Sequence, residues 1–143
     1  MKSLTLRYSS ATVRDLNDIR EFLESAILNL GGDGDVAGDL VLAVNEAATN
    51  SLLHGYPEQT GAITVDVEAD GGDLSVRLID DARPFDPTAV PPPDISRPLE
   101  ERPLGGLGVH MMRQLTDELI YRATDDNRNE LTFVKRGVLT LAP

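Results

Sequence analysis

Three polar residues stand four apart in the stretch Leu42 to His54: a carboxylate at Glu46, an amide at Asn50 and an imidazole at His54. Residues four apart on an α-helix are neighbours on one face. These groups would therefore form a line, with roughly 5.4 Å of helix between each and the next. An amide oxygen is a ligand for a hard cation, and a carboxylate one turn away can handle a proton. The opposite side of the same helix, Leu40, Val44, Ala47, Ala48 and Ser51, is small and apolar and would pack on a sheet. A polar ridge with such a back reads as a pocket wall. The same residues would equally make a solvated helix surface, and the helix by itself leaves both readings open.

Three further stretches could carry chemistry. Gly105-Gly106-Leu107-Gly108 precedes a short helical pattern at about Gly108 to Thr116. Glycines let a backbone approach a ligand closely, and the free N–H groups and dipole of a helix start favour phosphate. The spacing is neither a dinucleotide G-x-G-x-x-G nor a Walker A loop, and alone it is also plain loop chemistry. Asp80 follows the alternating run Val76 to Ile79 and so lies at a strand end. Its carboxylate can accept a hydrogen bond from an exocyclic amine such as that of adenine. That bond discriminates, because a ligand lacking the amine leaves a buried acceptor unpaired. An ordinary acidic turn is the competing reading. Thr132, in the strand pattern Asn129 to Val134, would present a hydroxyl near the same pocket or simply pack in a sheet.

These residues need a scaffold, and 143 residues suffice for one domain with a real core. Leu4, Leu6 and Tyr8 suggest a first strand. Ser10 or Thr12 would cap a helix running to about Leu30, with Leu16, Ile19, Phe22, Leu23, Ala26 and Ile27 as its apolar stripe. Gly31-Gly32-Asp33-Gly34 breaks it. The Glu46 helix follows from about Asp35 to His54, ended by Gly55-Tyr56-Pro57. Strands at about Gly61 to Ala69 and Asp73 to Asp80 flank the hairpin signal Asp70-Gly71-Gly72. Two more, at about Glu118 to Ala123 and Glu130 to Arg136, flank Asp125-Asp126-Asn127. Between Asp81 and Pro103 the prolines exclude regular structure over most of the segment. Such a long loop is a lid, a binding loop or a surface insertion. This order predicts an α+β two-layer sandwich, a mostly antiparallel sheet covered on one face by helices.

Composition narrows the function. Thirteen basic against 24 acidic residues give a net charge of −11, which argues against a general nucleic-acid binder. Any phosphate site must then be local, built from backbone N–H groups, a helix start and a bound cation. A basic protein partner is compatible with the charge. There is no apolar run long enough for a membrane span and no signal-peptide core, so a cytoplasmic location is expected. Without cysteine there is no disulfide and no thiolate metal site.

Together the four elements resemble the Bergerat ATP-binding fold of the GHKL (HATPase_c) superfamily, shared by gyrase, Hsp90, histidine kinases and MutL. Within it, Leu42-Ala43-Val44-Asn45-Glu46-Ala47-Ala48-Thr49-Asn50, Asp80-Asp81-Ala82-Arg83-Pro84-Phe85-Asp86-Pro87 and Gly105-Gly106-Leu107-Gly108-Val109 are similar to the bacterial anti-sigma-factor serine-protein kinases. The resemblance covers nearly the whole chain and is strongest from about Leu40 to Thr116. Ala82 departs from it, standing where the superfamily usually has a glycine, and Leu104 occupies the first glycine position of the histidine-kinase loop.

The resemblance implies one ATP-binding domain over residues 1–143, with a proline-rich ATP lid at about 82–104. It implies that Asn50 ligates Mg²⁺, which bridges the ATP phosphates, and that Glu46 is the general base for an attacking serine hydroxyl. Asp80 would bind the adenine amine, with Thr132 supporting it and Ala82 close by. Gly105, Gly106, Leu107, Gly108 and Val109 would form the lid end and phosphate cradle, and His54 would line the phosphate side. The implied protein is an ATP-dependent serine-protein kinase and anti-sigma regulator, a homodimer that phosphorylates a STAS-domain antagonist and sequesters a sigma factor. A non-catalytic nucleotide-gated binding module fits the same motifs. So does a detached histidine-kinase catalytic domain, which needs a phosphoacceptor histidine from elsewhere, since the only histidines here are His54 and His110.

Overall fold

The computed structural model describes residues 1–91 and 106–140. Five strands, β1 (Lys2–Ala11), β2 (Gly61–Asp70), β3 (Asp73–Asp80), β4 (Glu118–Ala123) and β5 (Asn129–Lys135), form one sheet. Their spatial order is β1-β2-β3-β5-β4, and every neighbouring pair is antiparallel. Three helices, α1 (Leu16–Asn29), α2 (Gly34–Asn50) and α3 (Gly106–Gln114), cover one face. This is the α+β sandwich expected from the sequence. Among the described residues no helix is long and apolar enough to cross a membrane.

Alternation decides which face of the sheet is covered. Ile63, Val65 and Val67 of β2, Leu74, Val76 and Leu78 of β3, and Leu131 and Phe133 of β5 are buried under the helices. Arg77, Ile79, Glu130 and Thr132 project from the other face, where Glu130 pairs with Arg77 (3.2 Å) and Arg122 (2.6 Å). Asp80 registers with Asn129, one step beyond the Leu78–Leu131 pair. Two polar residues therefore close the helix-covered face at one end of the sheet.

Thr12 starts the first helical segment with a capping box to Asp15, but the chain first makes a 3₁₀ turn, Val13–Asp15, before α1 proper. The expected stripe is buried, with Phe22 half-buried. Asp33 caps α2 by accepting from the Val36 N–H (2.9 Å).

The α2 helix does not run to His54 as expected. It is α-helical to Asn50, and Ser51–Gly55 then form a π-helical turn closed by the Tyr56 N–H on the Ser51 carbonyl (3.0 Å). The wider turn carries the chain to Tyr56, which is buried. The Tyr56 hydroxyl donates to the Ala62 carbonyl (2.6 Å) and accepts from the Asp81 N–H (2.8 Å). This side chain locks the end of α2 to the ends of β2 and β3.

The described part of the proline-rich segment contains a short turn. Asp86 accepts from the Thr88 N–H (2.8 Å) to cap a 3₁₀ turn at Pro87–Ala89. Arg113 of α3 donates to the carbonyls of Pro87, Thr88 and Val90. The rest of the expected lid, with Leu104 and Gly105, lies outside the described residues.

Candidate functional site

A cavity of about 190 Å³ opens at the sheet end that Asp80 and Asn129 close. The end of α2 and its π turn supply Asn50, Ser51 and His54. Asp80 and Ala82 come from the end of β3, and Tyr121 and Asn129 from β4 and β5. The structure thus brings together Asn50 and His54 from one stretch of sequence and Asp80 and Ala82 from another. Because the turn after Asn50 is wider than an α-turn, His54 does not continue the helical line through Glu46 and Asn50, although it still lines the cavity.

Asp80 is 5% exposed and accepts from three donors. Its Oδ1 accepts from the Asn129 side-chain amide (2.9 Å) and the Ala82 N–H (3.1 Å), and its Oδ2 accepts from the Ser51 hydroxyl (2.6 Å). Ser51, assigned from the sequence to the apolar back of the helix, is instead a polar contact of this carboxylate. A buried carboxylate held by donors is an acceptor of fixed direction, which is the chemistry expected of a group that reads an amine.

Thr132 is not the residue that supports Asp80. It registers with Arg77 and Ile120 on the uncovered face of the sheet. Three positions along a strand reverse the side-chain direction, so Asn129 takes the role. Its Nδ2 also donates to the Ala82 carbonyl (3.0 Å), and its Oδ1 accepts from the Tyr121 hydroxyl (2.6 Å) and the Phe85 N–H (3.3 Å). Burial, with smaller contributions from the charges of Asp86 and Asp80, pushes the Tyr121 phenol up, so the hydroxyl keeps its proton at neutral pH.

Ala82 fits where the superfamily has glycine. It is buried, and it is not among the residues with positive φ. The space is made by Gly55, where an added Cβ would stand 2.7 Å from the Ala82 methyl.

Glu46 does not line the cavity. It is half-buried on α2 and faces α3, where a Cβ at Gly108 would stand 2.2 Å from its Oε1. The α3 helix starts at Gly106, two residues before the position expected. Its first turn therefore contains Gly106, Leu107, Gly108 and Val109, whose N–H groups are the ones a helix start leaves free. Val109 has its side chain fully in the core and Leu107 is exposed, so either could serve a ligand only through its backbone or its exposed surface.

Sequence reasoning missed Ser51, Tyr121, Asn129 and Arg113. The strand alternation held a signal for Asn129, since it shares parity with the apolar Leu131 and Phe133. Nothing local marks the other three.

An organic base could place its amine on Asp80 and its ring among Ala82, Phe85 and Tyr121. Asn50 offers an amide oxygen on the same cavity wall. Among the described residues no three His, Cys, Asp or Glu side chains gather to hold a metal. A lone side-chain amide on an open cavity wall has the chemistry for a cation that keeps water and phosphate oxygens as most of its ligands, the habit of Mg²⁺.

Known proteins agree with this architecture. Residues 9–135 match the family described as the histidine kinase-like ATPase domain. Over 105 residues the chain is 30% identical to serine-protein kinase RsbW of Bacillus cereus (strain B4264) and of Bacillus anthracis (strain A0248), covering 71% of this chain and 66% of each relative. It spans just under two thirds of those relatives. Among solved structures, it superposes on the RsbU and RsbW domains of Rv1364c from Mycobacterium tuberculosis with a TM-score of 0.67 and 20% identity, over 95% of this chain and 32% of that one. A chain of the SiaB-SiaC complex from Pseudomonas aeruginosa matches with a TM-score of 0.60 and 18% identity, over 90% and 88% of the two chains. The family match spans most of the chain and the superpositions share its fold, and the chain belongs to the histidine kinase-like ATPase family.

Proposed function

We propose that this protein binds Mg-ATP in the Asp80 cavity and transfers the γ-phosphoryl group to a serine of a STAS-domain partner, while holding a sigma factor when that partner is absent. The observation that carries the reading is the buried, donor-clamped carboxylate of Asp80 in a cavity that Asn50 also lines. Asp80 would take the adenine amine, and Asn50 would hold Mg²⁺ through its amide oxygen. Bound there, the cation would neutralise charge on the phosphates during transfer. The N–H groups at the start of α3 would receive phosphate oxygens, and the lid at about 82–104 would cover them. Glu46, one turn before Asn50 and packed on the same helix start, would accept the proton of the incoming serine hydroxyl.

Partner exchange follows from charge. A new phosphate of nearly two negative charges on the partner would face a protein of net charge −11 and weaken their contact. A cytoplasmic homodimer is part of the same reading.

Titrating ATP into wild type and Asn50→Ala, with and without Mg²⁺, tests the pocket. Tight Mg-dependent binding that the variant loses supports the reading, and no binding to wild type rejects it. The position of Glu46 outside the cavity lining favours a second reading, a nucleotide-gated binding module without transfer. Glu46→Ala separates the two, because it abolishes transfer in the first and leaves partner binding unchanged in the second.

A further inference from the structure

The Asn129 amide can sit only one way round. Its oxygen takes the Tyr121 hydroxyl (2.6 Å) and the Phe85 N–H (3.3 Å), so its NH₂ must meet Asp80 Oδ1 (2.9 Å) and the Ala82 carbonyl (3.0 Å). Turned over, it would set an oxygen against a carboxylate and a carbonyl, and an NH₂ against an N–H. A carboxylate has about four acceptor sites. Asn129, Ala82 and Ser51 fill three on Asp80, leaving about one for a ligand in the cavity it lines.

We propose that Asn129 and Tyr121 set the base selectivity of this site: Tyr121 fixes the amide, the amide holds Asp80 as an acceptor, and the cavity takes a 6-amino purine while rejecting a 6-oxo purine. The inference rests on the nucleotide-binding reading above and deepens it. Asn129 is the specificity-determining residue and Tyr121 a positioning residue. An oxo group in place of the amine would bring lone pairs against lone pairs at Asp80. Without the Tyr121 hydroxyl, the amide oxygen keeps only the longer Phe85 bond, and the amide's hold on Asp80 through its NH₂ loosens. Replacing Asn129 by aspartate sets a second carboxylate beside Asp80. Two carboxylates in contact share a proton, so the pair gains a donor and tolerates an oxo group.

The test is the ratio of ATP to inosine triphosphate affinity, measured by calorimetry on wild type, Tyr121→Phe, Asn129→Asp and Asp80→Asn, with a melting curve for each. The ratio is insensitive to a general loss of stability, and Tyr121→Phe removes a single oxygen. The expected result is a wild-type preference for ATP of at least about tenfold, compressed about tenfold in both Tyr121→Phe and Asn129→Asp. If wild type prefers ATP, Asp80→Asn loses the preference and the other two variants keep it, the inference falls and the nucleotide reading stands. The same holds if wild type binds both nucleotides equally. If wild type binds neither, both fall.

Discussion

Gly108→Ala separates stability from chemistry in this protein. The added methyl would stand 2.2 Å from Oε1, 2.8 Å from Cδ and 2.9 Å from Cγ of Glu46. Ordinary contact begins near 3.4 Å, so the carboxylate must retreat by 3.4 − 2.2, or 1.2 Å. All three atoms belong to one flexible, half-buried side chain, and the retreat costs little. Gly108 is also not among the glycines with positive φ, so alanine meets no backbone strain. Inside a helix alanine is favoured over glycine by about 1 kcal/mol. Stability should therefore stay level or rise by up to about 1 kcal/mol.

Transfer should fall nevertheless. Displacing a catalytic group by about 1 Å costs on the order of 100-fold, within the roughly 10²–10⁴-fold worth of a general base. The assay is phosphoryl transfer from ATP to a STAS-domain substrate, run beside urea denaturation and ATP titration. Combining Gly108→Ala with Glu46→Ala asks whether the loss passes through the carboxylate, since the double variant should then be no slower than Glu46→Ala alone. A Gly108→Ala protein that transfers phosphate within threefold of wild type would refute the placement of Glu46 as the base.

Three other perturbations read the scaffold. Arg113→Ala strips the donor from the carbonyls of Pro87, Thr88 and Val90; a loss of about 2 kcal/mol in urea denaturation is expected, and an unchanged midpoint would show that the clamp is idle. Gly55→Ala sets a methyl 2.7 Å from the Ala82 Cβ, which should cost about 1–3 kcal/mol by overpacking; adding Ala82→Gly should restore most of it, and no restoration would disprove the contact. The Tyr56 phenol is pushed up to about 12 by burial, and the charges of Asp80 and Asp81 also raise it. A raised pKa means the folded state keeps the proton longer, so its stabilisation is complete below pH 10 and is lost as pH rises through about 12. That amounts to at most about 2.7 kcal/mol for two pKa units, and Tyr56→Phe should lack this alkaline slope in denaturation curves between those pH values.

Much of the scaffold was legible because it is written in periodicities. The alternation through Val76 and Leu78 placed Asp80 at a strand end, its parity with those two buried residues is what turns it inward, and the hairpin glycines placed its partner β2. The helix stripe of α1 was readable for the same reason. Thr132 failed against that very rule: with Leu131 and Phe133 facing inward, a residue between them faces out, and Asn129 faces in. The π turn was not legible. Its cause is the burial of Tyr56 between Ala62 and Asp81, a contact between chain segments that no local pattern records. Arg113 likewise reads locally as an ordinary cation in a last helical turn, and its partners lie more than twenty residues away.

The departure at Ala82 shows how such long-range contacts relocate a requirement that a motif seems to fix in place. A glycine beside the adenine aspartate is usually understood as room for a close approach. Here the methyl is present and buried, and the room sits across the cavity wall at Gly55, at the end of the π turn. The backbone around Ala82 is still tied down, its N–H to Asp80 and its carbonyl to Asn129. The side of the cavity that receives the methyl is thus set by the turn that ends α2, and the π turn, Gly55 and Ala82 form one packing unit. Substituting either residue alone should disturb the wall, and substituting both in the compensating sense should not.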